Sequence, residues 1–292
     1  MASPYTDLDR PPLRAAALRR ALVAPGRLIT DVEVVAEIGS TNAELRSRAL
    51  DGAPEGVLLV AEHQTAGRGR LERTWTSPPR AGLTFSVLLR PGSQVPGRRW
   101  PWLPLLVGCA VVEAIASVSE TAKGVSLEPE LKWPNDILLG DRKLCGILVE
   151  RVDTQTGPAA VAGVGLNVTS TASELPDTAT SLRLSGATTT DRPTLLIAIV
   201  RMLDALYSAW RSAAGDPEAG PGGGLRRAYR RRCATIGREV EVRLGGDRRV
   251  VGRATDVDGD GRLVVVTEEG ERSFNAGEVV HLRPAEGPTR RD

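Results

Sequence analysis

The chain changes pattern once, at residues 215–224 (GDPEAGPGGG), and that break limits what it can fold into. So much glycine and proline continues neither a helix nor a strand. Ahead of it, from Val32, short apolar runs alternate with stretches of helical period. VEVVAEI (32–38), GVLLVAE (56–62), LTFSVLLR (83–90) and AAVAGVGLNV (159–168) read as strands. LRAAALRRALV (13–23), LPLLVGCAVVEAIASV (103–118) and 193–211 read as helices, as does 42–50, with N-cap chemistry at Ser40, Thr41 and Asn42. ILLGDRKLCGILVER reads as a hairpin turning at Gly140 and Asp141. That mixture is an α+β domain. Behind the break comes a basic helical piece, LRRAYRRRC (225–233). It is followed by REVEVRL, RRVVGRATDVD, GRLVVVT and ERSFNAGEVVHL, short strands parted by Gly and Asp turns. These predict a small β-barrel of about 50 residues. The chain therefore divides into an extension with a short helix (1–30), a main domain (31–232), a β domain (233–285) and a tail (286–292). Residues 1–12 and the tail are expected to be disordered.

Composition removes several classes of function. Apolar residues are 41% of the 292 and charged residues 25%, which excludes a disordered chain, a collagen and a coiled coil. No run of 18 apolar residues occurs, so no membrane span is expected. The start, MASPYTDLDRPP, lacks a basic segment followed by an apolar one, so a cytoplasmic protein is expected. Cys109, Cys145 and Cys233 are sparse and odd in number, and His63 and His281 are the only histidines. Neither set suits a disulfide framework or a zinc site, and any metal should be a hard cation on oxygen ligands, arriving with phosphate. A net charge of +2 makes no global case for nucleic acid. The cations themselves are lopsided. Of 38, only Lys123, Lys132 and Lys143 are lysines. Where arginine serves as the generic cation, a retained lysine marks a place that needs a compact ammonium.

Four segments carry chemistry. In 64–75 (QTAGRGRLERTW), Gly67 and Gly69 let the backbone approach an anion, and Arg68, Arg70 and Arg73 offer forked donors for phosphate oxygens. Trp75 offers a flat apolar face. Taken alone, this reads first as an exposed basic loop. Lys132-Trp133-Pro134-Asn135-Asp136 joins a cation, an aromatic, an amide that can read an adenine edge and a carboxylate that can hold Mg2+ beside phosphates. Pro-Asn-Asp is also ordinary turn chemistry. Lys143-Leu144-Cys145-Gly146 sets a lysine before a small-residue strand, where it is either a point charge for two anions or a solvated hairpin lysine. Gly163-Val164-Gly165-Leu166-Asn167 clears one strand face for a flat ligand or for close helix packing.

In this order, with Ser40-Thr41-Asn42 ahead of them, GRGRxxRxW, KWPND, KxxG and GxGxN resemble the biotin protein ligases. The resemblance runs over about 32–284, nearly the whole chain. It departs at Leu71-Glu72, where the family commonly has a glycine before the third arginine, so Glu72 is expected to change the loop's flexibility or to pair with Arg73. It also lacks the N-terminal DNA-binding domain of the repressor class. The resemblance implies a class II synthetase-like catalytic domain with a C-terminal Src-homology-3-like barrel that helps bind ATP and the acceptor. It implies an enzyme that makes biotinyl-5′-AMP from biotin and ATP and then biotinylates one lysine of a biotin carboxyl carrier domain. By resemblance, Lys143, Arg68 and Arg70 are catalytic. Ser40, Thr41, Asn42, Gln64, Arg68, Gly69, Arg70, Lys143, Gly146, Gly163 and Gly165 bind biotin. Gly67, Arg70, Arg73, Trp75, Lys132, Asn135, Asp136 and Asn167 bind ATP or the adenylate, Trp75 packing on adenine, and Asp136 stands near Mg2+. The implied partner is the carrier domain, with no DNA and no membrane, in a monomer or homodimer. Lipoate or octanoate ligation, which shares the fold and the adenylation logic, and non-catalytic biotin binding are the other readings.

Three remaining features read as structural. Asp256-x-Asp258-x-Asp260-Gly261 opens like a calcium loop, but position twelve would be Thr267, so a β-turn is expected. RRAYRRR (226–232) reads as a solvated helix face and Cys145 as an apolar wall residue.

Overall fold

In the computed structural model, residues 10–282 are described, apart from 123, 246, 247 and 276. Lys123, residues 1–9 and the expected tail at 286–292 lie outside the described residues. The elements of the main domain are α1 (Ala15–Leu22), β1 (Asp31–Val35), α2 (Thr41–Leu50), β2 (Val57–Ala61), β3 (Gly82–Leu89), α3 (Trp102–Val118), β4 (Glu130–Lys132), β5 (Asp136–Leu139), β6 (Arg142–Thr154), β7 (Gly157–Asn167) and α4 (Arg192–Ser212). The strands form one sheet in the order β1-β2-β3-β7-β6-β5-β4, parallel only between β1 and β2. The run 32–38 stops as a strand at Val35. Ile38 instead makes an isolated bridge to Gln64.

Both sheet faces are covered, which is why its inner strands read as apolar runs without alternation. On one face lie α3 and α4, with Leu58, Val60, Ala160, Ala162 and Val164 beneath them. On the other lies α2, over Leu59, Leu88, Ala159 and Val161. Side chains alternate along a strand, so Gly163 and Gly165 fall on the α2 face, where the cleft opens. α3 is buried from Trp102 to Ile115 except at Pro104 and Glu113, as a helix apolar on nearly every side must be. Gly108 lets it close on β4, since a Cβ there would press on Leu131. The stretches Gly97–Val118 and Arg192–Ser212 reach the length and hydropathy of a membrane span without an unbroken apolar run. Of their most apolar windows 67% and 44% are buried within the fold.

The N-terminal segment is part of this core rather than an appendage. Leu13, Leu18, Leu22, Leu28 and Ile29 are buried in it. Residues 10–12, expected to be disordered, are held. Arg10 pairs with Glu174 at 2.7 Å, and the buried Arg192, itself 2.6 Å from Glu62, donates to the Pro11 carbonyl.

After α5 (Gly224–Arg232) come β8 (Glu239–Arg243), β9 (Arg249–Val257), β10 (Leu263–Thr267), β11 (Gly270–Phe274) and β12 (Glu278–His281). They form a second, antiparallel sheet in the order β11-β10-β9-β8-β12. The last strand returns beside the first, as the Src-homology-3-like expectation requires. The Asp258 carboxylate accepts the Asp260 and Arg262 N–H groups, so the apparent calcium loop is a turn. That turn docks on the main domain. Trp102 Nε1 and Arg99 donate to the Gly259 carbonyl, and Trp133 Nε1 donates to that of Gly261. The basic face of α5 is not simply solvated. Arg226 and Arg230 grip Asp256 on β9, and Arg232 pairs with Glu113 and Glu128.

Candidate active site

One cleft of about 200 Å3 gathers nearly all the residues singled out above. It lies where the N-terminus of α2, the glycine face of β7, the β5–β6 hairpin and the loop 67–75 meet the start of β12. The local reasons are legible. Ser40 caps α2 through Ala43 N–H, which turns Thr41 and Asn42 inward, both nearly fully buried. Gly163 leaves room for the Asn42 amide, since a Cβ there would overlap it.

The inner end of the cleft is polar. Gln64 Oε1 accepts from Thr41 N–H at 2.7 Å and from the Thr41 hydroxyl at 3.0 Å. Ser86, on β3 and fully buried, donates to Asn42 Oδ1 at 2.6 Å and lies 2.8 Å from Thr41 Oγ1. Asn42 Nδ2 donates to Glu150 at 2.7 Å and to the Leu148 carbonyl at 3.2 Å. Sequence reasoning missed Ser86 and Glu150. The available signal was a serine inside LTFSVLL, a strand too apolar to have a wet face, where a buried hydroxyl must find partners.

The outer end is cationic. Lys143 Nζ stands 2.7 Å from Asp136 and 5.8 Å from the centroid of the Trp75 ring. Arg70 donates to Asn135 Oδ1 at 3.1 Å and to the Gly277 carbonyl at 3.5 Å. Burial pushes the guanidinium of Arg70 and the ammonium of Lys132 below their ordinary ranges, with Asp136 opposing both shifts. A partly buried cation with depressed affinity for its proton is one that an incoming anion stabilises strongly. Arg73 does not pair with Glu72. Its partner is Glu278 of β12, at 2.6 Å, which raises the guanidinium and lowers the carboxyl from their usual ranges. Gly277 and Glu278 are further site residues that the sequence left unmarked, brought in by the second domain.

The loop closes on itself. Trp75 N–H donates to the Gly67 carbonyl at 2.9 Å, Gly69 N–H donates to that of Arg73 at 2.6 Å, and Arg68 bridges Thr74. A Cβ at Gly67 would collide with the Trp75 carbonyl, so that glycine serves loop closure and does not line the cleft. Leu71 and Glu72 both take left-handed φ values, +54° and +58°, at the place where the family commonly has a glycine. Trp75 lies flat on the cleft floor. A Cβ at Gly165 would overlap its ring, one at Gly146 would come within 3.3 Å, and its indole N–H is buried without a partner. Asn135 is committed at both amide ends, to Arg70 and to the Ile147 carbonyl. Asn167 is not brought to the cleft; its side chain donates to the Thr180 carbonyl. Cys145 is buried, and burial pushes its thiol well above the ordinary range, which suits a wall residue and not a nucleophile. No cluster of three or more His, Cys, Asp or Glu able to cage a metal occurs among the described residues. Asp136 fits a hard cation only as one ligand of an ion that arrives on phosphates.

A deep polar end, a glycine floor and a rim of cations around two carboxylates, Asp136 and Glu278, define a site for a small polar acid beside a polyphosphate, the layout of an acid-activating ligase. Residues 35–167 match the model of the biotin/lipoate A/B protein ligase family, and 235–282 match the biotin protein ligase C-terminal domain. The biotin–[acetyl-CoA-carboxylase] ligase of Mycobacterium tuberculosis is 42% identical over 281 residues, covering 95% of this chain and all of that protein. The bifunctional ligase/repressor BirA of Escherichia coli is 31% identical over 264 residues, 87% of this chain and 75% of that one. A structure of Aquifex aeolicus biotin protein ligase in complex with biotin and ATP superposes with a TM-score of 0.71 at 26% identity, over 88% of this chain and all of that one. The chain belongs to the biotin protein ligase family.

Proposed function

We propose that this chain activates biotin with ATP to biotinyl-5′-AMP and pyrophosphate, then transfers the biotinyl group to a lysine of a biotin carboxyl carrier domain of an acyl-CoA carboxylase. The observation that carries the reading is the place of Lys143, between the hydrogen-bonding end of the cleft and the arginine loop. In the first step a biotin carboxylate oxygen attacks the α-phosphorus of ATP and the bond to pyrophosphate breaks. Two anions must meet, and fixed cations lower that barrier. Lys143 bridges the carboxylate and the α-phosphate. Arg68 and Arg70 hold the adenylate, and Arg73, released from Glu278, neutralises the leaving pyrophosphate. Asp136 would hold a Mg2+ that arrives on the phosphates, and the ion would supply further positive charge there. Thr41, Asn42 and Gln64 receive the ureido group, whose analogues fail because these polar groups would stay buried and unpaired. Trp75 leaves the glycine floor to biotin and turns to the adenine. In the second step the carrier amine attacks the acyl carbon and AMP leaves, with proximity supplying most of the rate. Residues 31–232 form the catalytic domain and 233–285 the β domain that completes it. The enzyme works in the cytoplasm, as a monomer or homodimer and without DNA.

The test is acid-dependent ATP–pyrophosphate exchange on the purified protein, with biotin, lipoate and octanoate in parallel. Exchange with biotin alone is expected. Exchange with lipoate or octanoate instead would move the chain to the sister activity that shares its family model, and no exchange with any acid would leave a binding module.

A further inference from the structure

The cleft floor is a small grid. Ser86 on β3 faces Gly163 on β7, which faces Leu148 on β6. One step further out, Thr84 faces Gly165, which faces Gly146. Neighbouring strands lie about 5 Å apart, and the two rows about 7 Å apart. Side chains alternate along a strand, so Thr84 stands on the same sheet face as Ser86. The inner row belongs to the hydrogen-bonding end, where Ser86 meets Thr41 and Asn42. The outer row belongs to the cationic end, where a Cβ on Gly146 would stand 3.3 Å from Lys143 Nζ.

Thr84 is the one residue of β3 that is not buried, and it lines the cleft. The hydroxyls of the inner end are all committed. Ser40 accepts from Ala43 N–H, Thr41 donates to Gln64 and Ser86 donates to Asn42. No hydrogen bond among the described residues reaches the hydroxyl of Thr84. Nor is that hydroxyl sealed off, since it is not among the polar atoms buried without a partner. A β-branched side chain turns little about χ1, so the strand holds a spare donor at a fixed place on the cleft floor.

We infer that Thr84 is a specificity-determining residue, whose hydroxyl donates a hydrogen bond to the thioether sulfur of biotin. This rests on the reading that the cleft seats biotin with its ureido group at Thr41, Asn42 and Gln64 and its carboxylate at Lys143. Between those two ends the acid carries a single heteroatom, the ring sulfur, and the ring that holds it is fused to the ureido ring. That ring lies one step out from the inner row, at the level of Thr84 and Gly165, once Trp75 has left the glycine it covers. A thioether is a weak acceptor and a threonine hydroxyl a full donor. An acid with only methylene groups at that level displaces water from the hydroxyl and gives it no partner, which is how a polar site rejects a wrong substrate. Octanoate is such an acid, so Thr84 adds a second check to that of the ureido end.

The test sets biotin against dethiobiotin, which keeps the ureido ring and the carboxylate and has two hydrogens in place of the sulfur. Equilibrium titration gives both Kd values on each protein. Their ratio is read within one preparation, so a partly misfolded variant cannot mimic the result. Thr84→Val keeps the branched shape and removes the hydroxyl. In it biotin should bind about fivefold more weakly, dethiobiotin should bind no more weakly than to the parent, and the preference for biotin should shrink accordingly. Thr84→Ser should keep the parent's preference. A preference in Thr84→Val within about twofold of the parent's overturns the inference. So does equal weakening of both acids, which would assign Thr84 to the shape of the floor. So does a lost preference in Thr84→Ser, which would assign the effect to the methyl group. In a parent that exchanges pyrophosphate with biotin, any of these results removes the inference alone. A parent that binds neither ureido acid defeats the proposed function and the inference with it.

Discussion

Lys143 shows how much one residue can carry. It is one of three lysines among 38 cations, and it stands at the only described lysine position paired to the cleft carboxylate, Asp136. Lys143→Ala should slow adenylate formation by about 10²–10³-fold, the cost typical of removing one preorganised charge-stabilising group, with an unchanged thermal midpoint. Pyrophosphate exchange measures this, and near-parental exchange would refute the assigned role. Ser86 is the opposite case. It is invisible as a motif, yet it orders Thr41 and Asn42. Ser86→Ala leaves Asn42 Oδ1 buried without its donor, a loss of about 1–3 kcal/mol. Biotin should therefore bind about tenfold more weakly, by equilibrium titration, and an unaltered Kd would show that Glu150 and the Leu148 carbonyl suffice to orient Asn42. Side chains that hold ligand contacts, unlike those that make them, leave little trace in a sequence. Their partners lie 44 to 108 residues away.

At the scale of elements, the loop 67–75 and strand β7 divide the work. The glycines of β7 were legible as a cleared face, and two-residue alternation puts that face on the cleft side. The loop was legible as arginine donors for phosphate. What its sequence did not disclose is that the arginines have partners: Arg70 reaches Asn135 and Gly277, and Arg73 reaches Glu278. The loop is therefore strapped across the cleft by two guanidinium groups, and the proposed function predicts that retention of a reactive adenylate depends on the strap. Arg70→Gly should release biotinyl-AMP into solution and label bystander lysines. Adding a non-carrier protein such as albumin to the reaction and blotting for biotin tests this, and background-level labelling would sink the strap as a retention device. Asn167 stands apart at this scale. Its place at the end of GxGxN marks the rim of the glycine face, but the strand has by then turned its side chain toward the Thr180 carbonyl.

At the scale of the molecule, the β domain is tied to the chemistry by a second route, from His281 through Thr235 to the Trp133 backbone N–H. Burial first, then Lys132 and Arg238, lower the imidazole of His281 from 6.5 to about 4. The unfolded chain thus binds more protons than the folded one between those values. The contribution is fully present above pH 6.5 and is lost as the pH falls through about 4. The thermal midpoint should decline over that window in the parent and decline less in His281→Gln. Equal slopes would remove His281 as a source of the acid sensitivity. Much of the whole was determined by the sequence alone. Patterning distinguishes a two-face-buried sheet with its helices from a small β domain, because hydrophobic period and turn residues act locally. The motif residues identify the family, because their chemistry is carried by side-chain type and order. The tertiary structure alone decided which side chains support those motifs. Ser86 beneath Thr41, Glu278 against Arg73 and 178–180 beside Lys143 are hydrogen bonds and ion pairs across long chain separations. Nothing in a local pattern encodes such a meeting, since it exists only once sheet register and domain docking have brought the partners within reach.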